Sequence, residues 1–186
     1  MLQKYLDQYS TGKTVLLLFV ITNIVYAAML MYTIPYVMQF SGGIKLLDMM
    51  PLGYDINYIL SLMESLGEDG RINYLVVQLR IDMIYPLLFA VSYSLMMMYL
   101  LKQIGKDKSF LFYLCTLPIL AGLADYSENF GIITIIKSYP DITTMAAQMT
   151  NVFSIVKSMS TSLFFVSLIV VLTVWAIQSI KNKLKA

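Results

Sequence analysis

The chain has 186 residues, of which 59% are hydrophobic and 13% charged, about half the charged share of a soluble domain. Its net charge of +2 is too small for a nucleic-acid partner. With no His and one Cys it lacks the usual ligands for zinc or haem, the usual general base, and any intrachain disulfide. Apolar residues in long blocks place it among integral membrane proteins, and the length suits one compact bundle over residues 1–186.

A spanning helix needs about 20 mostly apolar residues. The first such segment covers about 14–37. Val25-Tyr26-Ala27 resembles a signal-peptide cleavage site, but the apolar run continues to Val37 and Asn23 interrupts it, so a spanning segment is expected. A loop follows over about 38–71, with breakers at Gly42-Gly43 and at Pro51-Leu-Gly53. Within it Asp55 is placed to cap a short helix from Ile56 to Leu66, which Gly67 ends. Ile56, Ile59, Leu60 and Met63 share one face, so this helix should lie across the mouth of the bundle or on the lipid surface. Glu68-Asp-Gly70 reads as a turn.

The second span covers about 83–101, with a helical run-in from about Ile72. The third covers about 110–136. Pro86 and Pro118 should kink them. Cys115 reads as a buried small hydrophobe, and Met96-Met-Met98 as packing. Tyr139-Pro140-Asp141 ends the third span, with Asp141 as cap for the next helix. The fourth span covers about 161–180 and extends back as far as Ile142. The expected fold is therefore all-α, a membrane-spanning four-helix bundle with an extracytoplasmic loop carrying a short amphipathic helix.

Orientation follows from Lys and Arg. Lys4, Lys13, Lys102, Lys106, Lys108, Lys181, Lys183 and Lys185 fall on one side, which should be cytoplasmic together with both termini. The other side mixes Lys45, Arg71, Arg80, Lys137 and Lys157 with Asp48, Asp55, Glu64, Glu68, Asp69 and Asp141. The C-terminal lysines are also a contact for anionic lipid. Trp175 and the tyrosines near both ends suit an aromatic belt.

The ionisable residues in or beside the spans carry the functional signal: Arg80, Asp82, Asp125, Glu128 and Lys157, with the amide of Asn129. At 1.5 Å per residue, Asp82 lies about 30 Å from Lys102, Asp125 and Glu128 about 25 and 30 Å from Lys108, and Lys157 about 36 Å from Lys181. Three helices thus deliver charge to one layer at the outer edge of the hydrocarbon. Asp125, Glu128 and Asn129 share a face, with Ala121 and Gly122 a turn earlier to permit close helix approach. Gln78, Asp82, Tyr85, Phe89 and Tyr93 form one stripe and Thr150, Ser154, Lys157 and Thr161 another. Asn23 and Tyr26 give the first span a weaker polar face. Such stripes should face the bundle interior, because lipid cannot satisfy them. A charge at the bilayer centre costs roughly 2.5–3.5 kcal/mol, less near the interface. The layer reads either as a polar pocket beneath the loop or as an ion-paired lock between helices.

Leu47-Asp-Met-Met-Pro-Leu-Gly-Tyr54, Leu66-Gly67, Gly70-Arg71, Tyr74-Leu75, Asp82-Met-Ile-Tyr-Pro86, Leu117-Pro118, Ala121-Gly122 and Asp125-Tyr-Ser-Glu-Asn129 together resemble a family of uncharacterised four-span membrane proteins. That likeness covers about 40–160 and implies a fold and marked positions, without an activity. A looser similarity is to the EXPERA domain of sterol isomerases and the sigma-2 receptor. It implies a four-span bundle with inner termini and matching acids at Asp82 and Glu128. This chain departs from it in having no His and no tryptophan in the pocket region.

Three functions compete. The first is binding of, or action on, a lipid or other amphiphile in an outer-leaflet pocket. There Asp82, Asp125 and Glu128 serve as acid/base groups and Arg80, Tyr85, Asn129 and Lys157 contact the ligand, with Lys157 or Arg80 holding a phosphate or carboxylate headgroup. The second is a scaffold engaging a protein partner through the loop. The third is a cation channel built from a homo-oligomer with an acidic ring. No metal or cofactor is expected in any of them.

Overall fold

The computed structural model describes residues 2–185, except for the side chains of Lys183 and Lys185. The helices are α1 (Leu2–Tyr9), α2 (Gly12–Met38), α3 (Ile56–Gln103), α4 (Phe110–Ser138) and α5 (Thr144–Lys185), and no strand occurs among the described residues. Within that range four helices, α2 to α5, are long and apolar enough to cross a membrane, the architecture of a multi-pass membrane protein. The lysines Lys183 and Lys185, part of the orientation argument, have side chains outside the described set.

Local sequence sets the helix ends. Thr11 caps α2 by accepting from the Thr14 amide at 3.3 Å, and Asp55 caps α3 by accepting from the Tyr58 amide at 2.8 Å. The cap of α5 is Thr143, whose hydroxyl accepts from the Ala146 amide at 3.2 Å, and not the expected Asp141, which lies too far upstream of the first turn. From Thr144 the helix runs unbroken through the fourth span.

α3 is the central helix and is broken twice. Gly67 has φ 60°, which glycine adopts without a Cβ clash, so the chain changes direction there as expected. Glu68, Asp69 and Gly70 then resume the helix directly, in place of the expected turn. The second break falls at Met83–Ile84, just before Pro86. The other proline differs: Pro118 sits in the first turn of the α-helical part of α4, where a missing N–H costs nothing, and the preceding stretch Phe110–Thr116 is 3₁₀.

The segment 56–66 packs into the loop-end core. Ile59, Leu62, Met63 and Leu66 are buried in the core at that end, whereas Leu60 points outward. Because α3 begins at Ile56, the loop proper is only 39–55. It is pinned to α5, where Asn151 accepts from the Tyr54 amide at 2.8 Å and Ser154 donates to the Met50 carbonyl at 3.4 Å. Arg71 closes the same end, stacking on Tyr139 with 4.5 Å from its guanidinium to the ring centre.

α2 packs on α3, α3 on α4, and α4 on α5. α3 and α4 approach closely at Gly122, where a Cβ would lie 2.8 Å from the Pro86 carbonyl oxygen. Two apolar cores result. One, at the loop end, holds Val37, Leu46, Leu47, Leu62, Tyr74 and Ile132. The other, toward the termini, holds Phe89, Tyr93, Met97, Met98, Cys115 and Phe164, so Cys115 and the methionine run are packing residues as read from sequence. The polar layer lies between the two.

Candidate functional site

The break in α3 positions the first acid. Pro86 has no N–H, so the carbonyl of Asp82, four residues earlier, loses its helical partner. Asn129 on α4 replaces it, donating its side-chain amide to the Asp82 carbonyl at 3.2 Å. The next carbonyl, Met83, is taken by the Tyr126 hydroxyl at 2.9 Å. Two α4 side chains thus cap the broken turn of α3 and hold Asp82 against the bundle interior, where it is only 3% exposed.

Asp125 and Glu128, one turn apart on α4, face Lys157 on α5. The Lys157 ammonium lies 3.3 Å from an Asp125 carboxylate oxygen and also pairs with Glu128. Glu128 is fully buried and Asp125 nearly so. Breaking such a pair strands a charge in low dielectric, so the three side chains act as a unit.

Asp48 completes the layer. It lies on the single 3₁₀ turn Leu47–Met49 of the loop. The Tyr74 hydroxyl donates to one of its carboxylate oxygens at 2.8 Å and the Gln78 amide to the other at 2.9 Å. The same Tyr74 hydroxyl accepts from the Leu47 amide at 3.1 Å, and Gln78 is held in turn by Thr33 on α2. Tyr54 contributes a buried hydroxyl without a hydrogen-bond partner among the described residues. Burial first, and the Glu128 charge second, push its phenol above the usual range, so it stays a neutral donor.

These groups border a cavity of about 440 Å³. Asp48, Asp82, Asp125 and Lys157 are the ionisable residues that line it, and Tyr85 and Phe89 are the aromatic residues that α3 adds to it. Its apolar wall is Met29, Leu30 and Ile34 of α2 with Met49 of the loop. Ser158, Thr161 and Ser162 of α5 line it as well. Tyr26 and Leu30, both more than 40% exposed, line the cavity as well, so it reaches the surface between α2 and α5. Below it the rings of Phe89, Tyr93, Phe164 and Phe165 pack edge to face or tilted at 4.7–6.3 Å and close the floor.

The residues singled out in the sequence separate into groups. Asp82, Tyr85, Asp125 and Lys157 line the cavity. Glu128 and Asn129 stand behind it, the first pairing with Lys157 and the second bracing the Asp82 backbone. Arg80 does not join them: it is exposed, two residues from Asp82 and hence on the opposite side of the helix. Asp48 figures in the sequence in the charge balance and in the Leu47–Tyr54 motif, and not among the expected site residues. A physical signal for it is the i,i+4 pair Tyr74 and Gln78, polar groups on a buried helix face that need an acceptor.

No protein-family model, curated protein or solved structure matches the chain.

Proposed function

We propose that this chain is a multi-pass membrane protein that binds a lipid or other amphiphile in the cavity between α2 and α5. The observation that carries this reading is the cavity's mixed lining. Asp48, Asp82, Asp125 and Lys157 line it together with the apolar Met29, Leu30 and Ile34. An amphiphile offers groups for both kinds of surface, and about 440 Å³ falls in the range of small-molecule sites. The opening beside Tyr26 and Leu30 lies on the membrane-facing flank of the bundle, so a ligand enters sideways from one leaflet without crossing water.

The leaflet follows from the lysines. Lys4, Lys13, Lys102, Lys106, Lys108 and Lys181 belong to the end opposite the loop, and the positive-inside rule supports reading that end as cytoplasmic, with both termini, and the cavity as lying in the outer half of the membrane. The Lys102–Asp7 ion pair at 2.8 Å and the Gln3–Asp107 hydrogen bond at 2.9 Å hold α1 to that same end.

The test is native mass spectrometry of gently purified wild type beside Ser158→Phe, which fills the cavity from α5 and leaves the Lys157 ion pairs in place. The reading expects a discrete bound amphiphile on wild type that is missing from the folded variant. Bulk lipid alone on both proteins contradicts it.

A further inference from the structure

A second cavity, of about 420 Å³, lies between α1, α3 and α4. Both spans turn one face to it. Leu87, Ala90, Val91 and Ser94 recur at three- and four-residue spacing on α3, as do Ile119, Gly122 and Leu123 on α4. The close approach of Gly122 to Ala90 and Pro86 forms the floor of a groove. Leu87, Val91 and Leu123 are exposed and form its rims, so it opens on the flank of the bundle. Only two hydroxyls border it from the spans, and both are engaged. Ser94 donates to the Cys115 carbonyl at 2.7 Å and Tyr126 to the Met83 carbonyl at 2.9 Å. No donor is left there for a polar ligand, so the lining suits an apolar chain. From Pro86 to Leu95 the groove follows α3 for about 14 Å, close to half of a hydrocarbon core of about 30 Å and so to the depth of one leaflet.

The end of the groove nearest the termini is different in charge. There α1 borders it with Tyr5, Leu6 and Tyr9, which share one helix face. Gln3 on α1 donates to the Asp107 carbonyl at 2.9 Å, which brings Lys4 beside the segment that carries Lys106 and Lys108. All three lysines are exposed, and none is in an ion pair among the described residues. Asp107 is the one acid between them, and the other nearby acid, Asp7, is already paired with Lys102. An apolar groove one leaflet deep thus ends beside a cluster of net positive charge.

From these observations we infer that the groove holds an acyl chain of an anionic phospholipid, whose headgroup lies at Lys4, Lys106 and Lys108. An anionic headgroup gains from each lysine near the membrane surface, whereas a zwitterionic one carries no net charge for them to attract. This site is separate from the cavity between α2 and α5 and does not depend on what fills that one.

The test is quenching of a tryptophan in the groove by lipids with brominated chains. In the full chain Trp175→Phe removes the one native tryptophan, and Val91→Trp places a reporter on the rim. Leu87→Trp on the same rim is the second reporter should Val91→Trp not fold. Val170→Trp, exposed on α5, is the control. Val91 lies about 16 Å from Lys102 and Val170 about 16 Å from Lys181 along their helices, so both report at one depth. Brominated phosphatidylglycerol and brominated phosphatidylcholine are titrated in turn into phosphatidylcholine vesicles. At the groove the anionic lipid should bind about fivefold or more tighter than the zwitterionic one, and at Val170 the two should be nearly equal. The triple variant Lys4→Gln, Lys106→Gln, Lys108→Gln, changed on the surface alone, should lose most of that preference, as should wild-type lysines in high salt. Equal preference at the groove and at Val170 assigns the effect to the surface in general and overturns the proposal. A preference untouched in the triple variant overturns the headgroup assignment. A groove reporter that neither lipid quenches means that protein covers the groove, and overturns the proposal as well.

Discussion

Asn129 donates its side-chain amide to the main-chain carbonyl of Asp82, the carbonyl that Pro86 leaves without a helical partner. One hydrogen bond between neighbouring helices thus compensates a break in α3 and fixes the direction of a buried acid. Asn129→Ala removes the donor and leaves a buried carbonyl unsatisfied, costing about 1–3 kcal/mol. Pro86→Ala restores the helical N–H, so in that background Asn129→Ala should cost clearly less. Thermal unfolding of the single and double variants in detergent measures the coupling. Strict additivity would mean that the two residues act independently.

The Lys157 cluster gives a second expectation. Lys157→Met leaves Asp125 and Glu128 facing each other without a cation and should destabilise the bundle by about 3–5 kcal/mol. Adding Asp125→Asn and Glu128→Gln removes the stranded charges and should recover a large part of that loss. The order of melting temperatures is therefore wild type, then triple variant, then Lys157→Met. A triple variant no more stable than Lys157→Met would exclude charge burial as the cause.

Gly122 tests the packing of α3 on α4. A Cβ there lies 2.8 Å from the Pro86 carbonyl oxygen and 3.1 Å from the Ala90 Cβ, so one helix must move. Gly122→Ala should cost about 1–3 kcal/mol in unfolding free energy despite alanine's better helix propensity. A stabilised variant would show that the two backbones separate freely.

The orientation has its own check. Leu52, at the tip of the loop, is 93% exposed, and Lys108 between α3 and α4 is exposed as well. With the buried Cys115 replaced by Ala, Leu52→Cys in intact cells should react with a membrane-impermeant maleimide, and Lys108→Cys only after permeabilisation. The reverse pattern inverts the topology and moves the cavity to the inner half of the membrane.

Length and hydropathy in the sequence account for the four long helices, and the 1.5 Å helix rise brings Asp82, Asp125, Glu128 and Lys157 to one level. Their faces were legible where a helix is regular, as for Asp125 and Glu128 on α4 and for Thr150, Ser154 and Lys157 on α5. Along α3 the stripe Gln78, Asp82, Tyr85, Phe89 and Tyr93 is buried or lines the cavity as expected, and depth alone grouped Arg80 with Asp82 although residues two apart on a helix point to opposite sides. Asp48 escaped because a loop residue has no periodicity from which to read its direction. The same holds for the cap of α5, where Asp141 and Thr143 are equally suitable by type and only the start of the helix separates them.

The most direct test of amphiphile binding is photo-crosslinking in membranes, with a diazirine placed along the acyl chain of a phospholipid. The account predicts that adducts concentrate on Met29, Leu30, Ile34 and Phe89 and are lost in Ser158→Phe. Adducts spread evenly over exposed apolar positions such as Leu16 and Val170, and unchanged in Ser158→Phe, would contradict it.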